Sequence, residues 1–310
     1  MSLPFKIGHV KVPPIKCQGI KTKLVPFIFD SIRWDSAHGA RWIEPFLGSG
    51  VVAMNLAPER ALLSDANPHI INFYKAIQRG DVNPSNAREF LASEGEKLAA
   101  RGADHYYEVR ERFNQQESPF DFLFLNRSCF NGVIRFNSQG RFNVPFGHKP
   151  QRFSRAYITK IVNQIEWVSL LVSDRDWEFR VASWEETMRE AAPRDFVYLD
   201  PPYIGRHADY YNSWSEADAV KLARAVENLP CGFALSMWLE NRHRRNAHID
   251  EHWSGLEQRV CRHFYHVGSS ESLRNAMDEA IIIKPGYAAP DGKNHLNTGR
   301  IAAQLQLRLE

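Results

Sequence analysis

Two rhythms of apolar and polar positions run along this chain. Short continuous apolar runs recur, each followed by a Gly, Pro, Asp or Asn cluster and then a longer amphipathic stretch. Residues 40–55 read as strand, glycine turn and helix. Ala61 to Ser64 reads as a second strand, with a helix starting near Pro68. Trp177 to Ala182, residues 195–200 and Cys231 to Trp238 give three more, and Val260 to Val267 and Ala280 to Lys284 complete seven. Runs such as Phe196 to Leu199, apolar at every position, suit strands buried on both faces of a parallel sheet. Helices are expected over 22–33, over 154–171, and from Ser215 to Asn228 with Ser215 as N-cap and Glu216 and Asp218 in the first turn.

From about Arg79 this rhythm is lost. Residues 84–125 read as helical, with Tyr106, Tyr107, Val109, Arg110 and Phe113 on a mixed amphipathic pattern. Asn and Arg then alternate with aromatics around Ser138-Gln139-Gly140, which reads as a hairpin turn. The pattern predicts an α/β fold in which 1–78 and 154–310 build the sheet domain. A mainly helical insert over 79–153 carries a β-hairpin.

The 310 residues suffice for one large domain or a domain plus an insert, and 44% apolar residues support a sizeable core. No apolar run reaches the ~18 residues of a membrane span, and Met1-Ser2-Leu3-Pro4 has no signal-peptide core. Cys17, Cys129, Cys231 and Cys261 lie far apart with no metal-type spacing, so reduced thiols in a cytoplasmic protein are expected, and no metal. Net charge is only +3, but its placement is uneven. Asn126 to Lys160 holds seven basic residues and no Asp or Glu, and Met1 to Phe29 holds five lysines and no acid. Such stretches on a nearly neutral chain suggest a polyanion site; a solvated basic face is the plainer alternative.

Candidate chemistry sits where strands end. Pro201 and Pro202 stop the run that closes on Asp200, and Tyr203 follows. Prolines donate no N–H, so an acid beside exposed carbonyls makes a cluster of acceptors, fitted to a ligand that presents an NH₂ group. Tyr203 adds a ring suited to stacking on a base. Taken alone, the tetrapeptide is also an ordinary strand end and turn. Glu44-Pro45-Phe46-Leu47-Gly48-Ser49-Gly50 places glycines where backbone can approach a ligand before a helix N-terminus. Asp65, ending the second strand, is placed either to accept ribose hydroxyls or to cap the helix near Pro68. In the insert, Asn and Arg side chains suit adenine and guanine edges, and interleaved aromatics suit base extrusion. The same pattern also fits a structural hairpin.

With these motifs together, the chain resembles the Dam-like, alpha-group DNA adenine-N6 methyltransferases over nearly its whole length. The D-P-P-Y at 200–203, E-P-F-x-G-S-G at 44–50, L-x-D-x-N at 63–67 and the long pattern from Leu125 to Gly147 carry the resemblance. Lys16, Gly19, Lys21 and Leu24 match the family's N-terminal loop, with Cys17 for its usual Trp and Ile20 for a Gly. The resemblance implies a Rossmann-like seven-stranded sheet, S-adenosyl-L-methionine as methyl donor, and transfer to N6 of a flipped adenine in double-stranded DNA. The protein would be bacterial or phage-encoded, beside a cognate restriction endonuclease or without one. It implies catalytic Asp200, Pro201, Pro202 and Tyr203. Cofactor contacts would come from Cys17, Lys21, Glu44, Pro45, Phe46, Gly48, Gly50, Asp65 and Asp200. DNA contacts would come from Lys16, Arg110, Arg127, Phe130, Asn131, Arg135, Asn137, Asn143 and Pro145. Of these, Arg135 is expected to read a base and Arg127 to hold phosphate or brace the loop beside the flipped base. The segment from Ile204 to Trp214 is expected to loop over the site. An RNA adenine or cytosine-N4 methyltransferase, or an inactive DNA-binding regulator, are the other readings.

Overall fold

The computed structural model describes residues 6–37, 39–202, 214–241, 246–264 and 276–290. Its centre is a sheet of β1 (Trp42–Glu44), β2 (Arg60–Asp65), β3 (Asp176–Val181), β4 (Phe196–Leu199), β5 (Gly232–Asn241), β6 (Glu257–Phe264) and β7 (Ala276–Ile283). The order is β3-β2-β1-β4-β5-β7-β6. The first five strands pair in parallel, and β7 runs antiparallel between β5 and β6. Strand order reverses between β1 and β4, which pair as Trp42 with Phe196 and Ile43 with Val197. The carboxyl ends of these two strands therefore open at the topological switch point, where such sheets bind ligands.

The pleat explains why the central runs are apolar throughout. Trp42, Leu63, Phe196 and Tyr198 face one apolar cluster, and Ile43, Leu62, Val197 and Leu199 the other. Trp42 stacks on Phe196 at 5.4 Å and on Tyr198 at 5.9 Å. Burying an aromatic side chain of this kind contributes roughly 1.5–3 kcal/mol. On the first face lie α1 (Val25–Ser31), α2 (Val51–Leu56) and α3 (Pro68–Arg79). Helices α4 (Pro84–Arg101), α5 (Ala103–Gln116), α6 (Pro119–Ser128) and α7 (Arg155–Ser173) extend the same cluster. The second face is covered by α8 (Trp184–Arg189), α9 (Glu216–Glu227) and α10 (Ala247–His252).

The seven expected strands are present, and Ser215 caps α9 through the amide of Asp218. The stretch 84–125 is three helices, broken at Gly102 and before Pro119. The short helices α8 and α10 were not expected. Asn67, not Asp65, caps α3, because its side chain accepts from the His69 amide. The turn at 138–140 forms, but its arms meet only at isolated bridges, Phe136 with Phe142 and Cys129 with Phe146. The expected loop from Ile204 to Trp214, apart from Trp214 itself, lies outside the described residues. Among the described residues no helix is long and apolar enough to cross a membrane.

Candidate active site

Asp200 follows β4 directly, beyond the last apolar residue, Leu199. Its Oδ1 takes Lys21 Nζ at 2.8 Å and the Ser236 hydroxyl at 3.1 Å. Ser236 in turn shares a hydrogen bond of 2.8 Å with Tyr198. Among the described residues no partner engages Oδ2, and the side chain is 23% exposed. Burial pushes the Asp200 carboxyl above the usual range, and Lys21 opposes the shift. The pair is thus anchored on one oxygen and open on the other. Pro201 is buried and Pro202 half-buried; Tyr203 lies outside the described residues.

Across the switch point, Glu44 ends β1, 2% exposed, and accepts from Trp42 Nε1 at 2.9 Å. Burial raises its carboxyl to about 8, against the Trp42 hydrogen bond. The loop after it turns on glycines, Gly48 at φ 50 and Gly50 at φ 69. At Gly50 the left-handed backbone would strain any larger residue, whatever room Met54 could make. Phe46 is half-buried against Trp184 and Trp214, and Pro45 is buried beside it. Asp65 grips this loop, with Oδ2 accepting from the Gly48 amide and Oδ1 from the Asn67 amide, both at 2.8 Å. Burial raises the Asp65 carboxyl, opposed by those two bonds. The half-buried Cys17 thiol lies over Gly48, and its pKa is pushed up by burial and by Asp65.

Several residues expected to touch DNA are engaged within the protein. Arg127 is 4% exposed. Its guanidinium donates to the Pro14 carbonyl at 2.7 Å and to Gln164 at 2.6 Å. This is a brace rather than a solvent-facing contact. Lys16 is held through its backbone, whose N–H and C=O both pair with the Asn126 side chain at 2.8 Å. The Lys16 stem crosses Gly132, where a Cβ would come within 2.7 Å of it. Asn137 uses its side-chain oxygen to hold the amides of Gln139 and Arg141 in the turn. Arg135 donates to Asn143 at 2.8 Å across that turn. Arg110 lies over the Tyr107 ring. Phe130 is 52% exposed, Asn131 is exposed in a left-handed conformation, and Pro145 is exposed. These three are exposed to solvent.

Sequence reasoning missed Ser236, Tyr198 and Glu279. Glu279 on β7 is 1% exposed, with Oε2 at 4.0 Å from Lys21 Nζ. Their only signal is polarity inside apolar strand runs. Among the described residues one set has metal-like spacing, His248, Glu251 and His252, with ligand atoms within 4.8 Å of one another on α10.

Comparison with known proteins fits this geometry. The sequence profile of the family described as D12 class N6 adenine-specific DNA methyltransferase matches residues 18–275. A DNA adenine methylase of Serratia marcescens is 34% identical over 226 residues, covering 69% of this chain and 77% of its own length. Those of Salmonella typhi and Escherichia coli K12 are 29% and 28% identical, each covering 86% of this chain and 94% of their own. The profile spans the glycine loop, the insert and the Asp200 strand end, and the chain belongs to the D12 class of N6 adenine-specific DNA methyltransferases.

Proposed function

We propose that the protein transfers the methyl group of S-adenosyl-L-methionine to N6 of an adenine turned out of duplex DNA, with Asp200 as the residue that engages the reacting amine. The open oxygen of Asp200 carries this reading. Adenine N6 is a poor nucleophile because its lone pair is delocalised into the ring. In this reading Asp200 Oδ2 accepts a hydrogen bond from one N6–H and the Pro201 carbonyl from the other, drawing the nitrogen toward sp³, and the single proton released on methylation leaves past Asp200 to solvent. Pro202 ends the strand, and Tyr203 stacks on the base. Positioning and electrostatics supply the rate, so no strong base is required.

The residues around the glycine loop fit the methyl donor. Its sulfonium supplies an electrophilic methyl when bound. Each Asp65 oxygen accepts one amide hydrogen and keeps lone-pair capacity for ribose hydroxyls. Glu44, Pro45, Phe46, Gly48, Gly50 and Cys17 would line the remainder, with Lys21 facing it from Asp200. On the DNA side, Phe130, Asn131 and Pro145 supply exposed surface, Asn137 and Asn143 shape the turn that carries Arg135, and Lys16 and Arg110 add positive charge. We assign base reading to Arg135, released from Asn143 onto a guanine edge. The bacterial relatives and four free cysteines support a cytoplasmic setting. Methylation beside a cognate restriction endonuclease or without one uses the same site.

Labelled S-adenosyl-L-methionine incubated with duplex DNA should yield labelled N6-methyladenine after nucleoside digestion. Asp200→Ala should abolish the label while DNA affinity stays within about tenfold, because the carboxylate acts mainly on the reacting amine. More than a few per cent of residual activity would remove Asp200 from the mechanism.

A further inference from the structure

Asp200 is held by one oxygen, and the two donors to that oxygen differ in kind. Lys21 Nζ lies 2.8 Å from Oδ1, and the Ser236 hydroxyl donates to it at 3.1 Å. An ammonium is a point charge with three rotatable donors, so it tolerates many carboxylate orientations. A hydroxyl offers one proton along one direction. The sheet sets that direction. Tyr198 and Leu199 of β4 lie opposite Ala234 and Leu235 of β5, and one step further along the ladder Asp200 comes level with Ser236. Tyr198 precedes Asp200 by two residues, so both point to the same face of the extended chain. Tyr198 is 3% exposed, Ser236 is fully buried, and their hydroxyls lie 2.8 Å apart. The proton of Ser236 is committed to the carboxylate, which in its ionised form can only accept. Tyr198 is therefore the donor in the bond between the two hydroxyls. Burial first, and the Asp200 charge second, raise the Tyr198 phenol well above its ordinary range, so it keeps the proton it donates.

We propose that Tyr198 and Ser236 are positioning residues for methyl transfer: a donor relay, phenol to hydroxyl to carboxylate, that fixes Asp200 Oδ1 from β5 and leaves Oδ2 for the substrate amine. The terminal torsion of an aspartate is broad and soft. Without a directional donor the carboxylate turns and offers both oxygens to Lys21. Hydrogen bonds in series polarise one another, so the buried phenol strengthens the bond that Ser236 gives. The inference rests on the proposed role of Asp200. It goes beyond that role in assigning work to two hydroxyls that act through Asp200.

Among the described residues, the charged and titratable groups that face Asp200 are Lys21 from the N-terminal loop, Glu44 from β1, Tyr198 from β4 and Glu279 from β7. None of them changes in Ser236→Ala. Burial raises the Asp200 carboxyl, and the Ser236 bond is one of the contacts that oppose it. Losing a bond to the charged form makes the carboxylate easier to protonate. The acid limb of the methylation rate, measured in single turnovers with both substrates saturating, reports loss of that carboxylate as pH falls. In Ser236→Ala the limb should move to higher pH by roughly half a unit to one unit. The plateau rate should fall about tenfold or more, with affinity for S-adenosyl-L-methionine and for duplex DNA within about twofold. Tyr198→Phe keeps the ring stacked on Trp42 and removes only the first donor. Its limb should move the same way by less, and its rate should fall about threefold. The double variant should be no slower than Ser236→Ala, since Tyr198 acts only through Ser236. Ser236→Ala leaves the Tyr198 hydroxyl buried without its acceptor. Should that variant fail to fold, the double variant, which removes both hydroxyls, takes its place in the limb measurement. A limb that stays in place or moves to lower pH overturns the proposal, whatever the rate does. A Tyr198→Phe loss as large in the Ser236→Ala background as alone overturns the relay too. The Asp200→Ala result separates the two readings. An active Asp200→Ala enzyme removes the foundation, whereas a dead one with an unmoved Ser236→Ala limb removes only the relay.

Discussion

At the scale of single residues, polar groups at the strand ends sit where burial works against their charge. Glu44 is the clearest case. Its carboxyl stands near 8, well above its ordinary 4.5, chiefly through burial. Between those values the folded state holds a proton that the unfolded chain has lost. Stability of the ligand-free protein should therefore fall as pH rises through that window and level off above it. Glu44→Gln should remove the slope and raise the melting temperature at pH 8.5 more than at pH 5, read by thermal melts at both. Equal melting curves for the two proteins at both pH values would show that Glu44 titrates normally. The place of Asp200 at the carboxyl end of β4 was legible because an apolar run stopped by two prolines marks a strand end. Ser236 and Glu279 were not. A single polar residue in a strand reads as the outward half of an alternation, and only the pairing of β5 with β7 turns both inward on Lys21.

At the scale of elements, the N-terminal loop is fastened to α6. Asn126 holds both backbone groups of Lys16, and Arg127 reaches the Pro14 carbonyl. Of the two expectations for Arg127, phosphate or a structural bond, its buried contacts are those of a clamp; sequence spacing carries no information about which side of α6 faces the loop. The clamp has a testable signature. Arg127→Ala leaves the Pro14 carbonyl and Gln164 without their donor in a buried place, which costs about 2–4 kcal/mol. The melting temperature should drop by about 5 °C or more, with DNA affinity weakened equally on every sequence and no change in salt slope. A smaller salt slope with an intact melting temperature would return Arg127 to the phosphate. The helical insert was legible as one stretch, but its breaks at Gly102 and Pro119 were not, because the amphipathic pattern runs on through both. The expected hairpin forms its turn, and its arms meet only at isolated bridges. Phe136 and Phe142, which bridge each other, also pack with His69 and Phe113 of neighbouring helices.

At the scale of the whole molecule, the fold joins two tasks on one continuous core. The apolar cluster that covers the first face of the sheet runs unbroken into the insert, from Trp42 and Leu63 through Phe73 to Phe113, Phe122 and Phe142. A displacement of the insert therefore acts on the packing beneath the glycine loop and not on a loose tether. The charge that gathers DNA is spread thinner than the sequence suggested. Within the acid-free stretch, Arg127 is buried, Arg141 pairs with Glu111, and Arg152 is bound to the Arg127 carbonyl and Tyr157. Lys149, Arg155 and Lys160 are exposed cations of that stretch, joined in the N-terminal region by Lys6 and Lys11. Sequence-independent affinity should then depend on these residues, because each phosphate neutralised releases condensed counterions. Binding titrations at two salt concentrations should show the slope of log affinity against log salt shrinking by about one for each of Lys149→Gln, Arg155→Gln and Lys160→Gln that removes a phosphate contact. The loss should be equal on cognate and altered duplexes. Arg135→Ala should behave in the opposite way, losing ~1–3 kcal/mol on the cognate site and much less on a site altered at the base it reads. A uniform loss for Arg135→Ala across all duplexes would move it to the backbone and leave the reading of sequence to Asn131, Asn137 and Asn143.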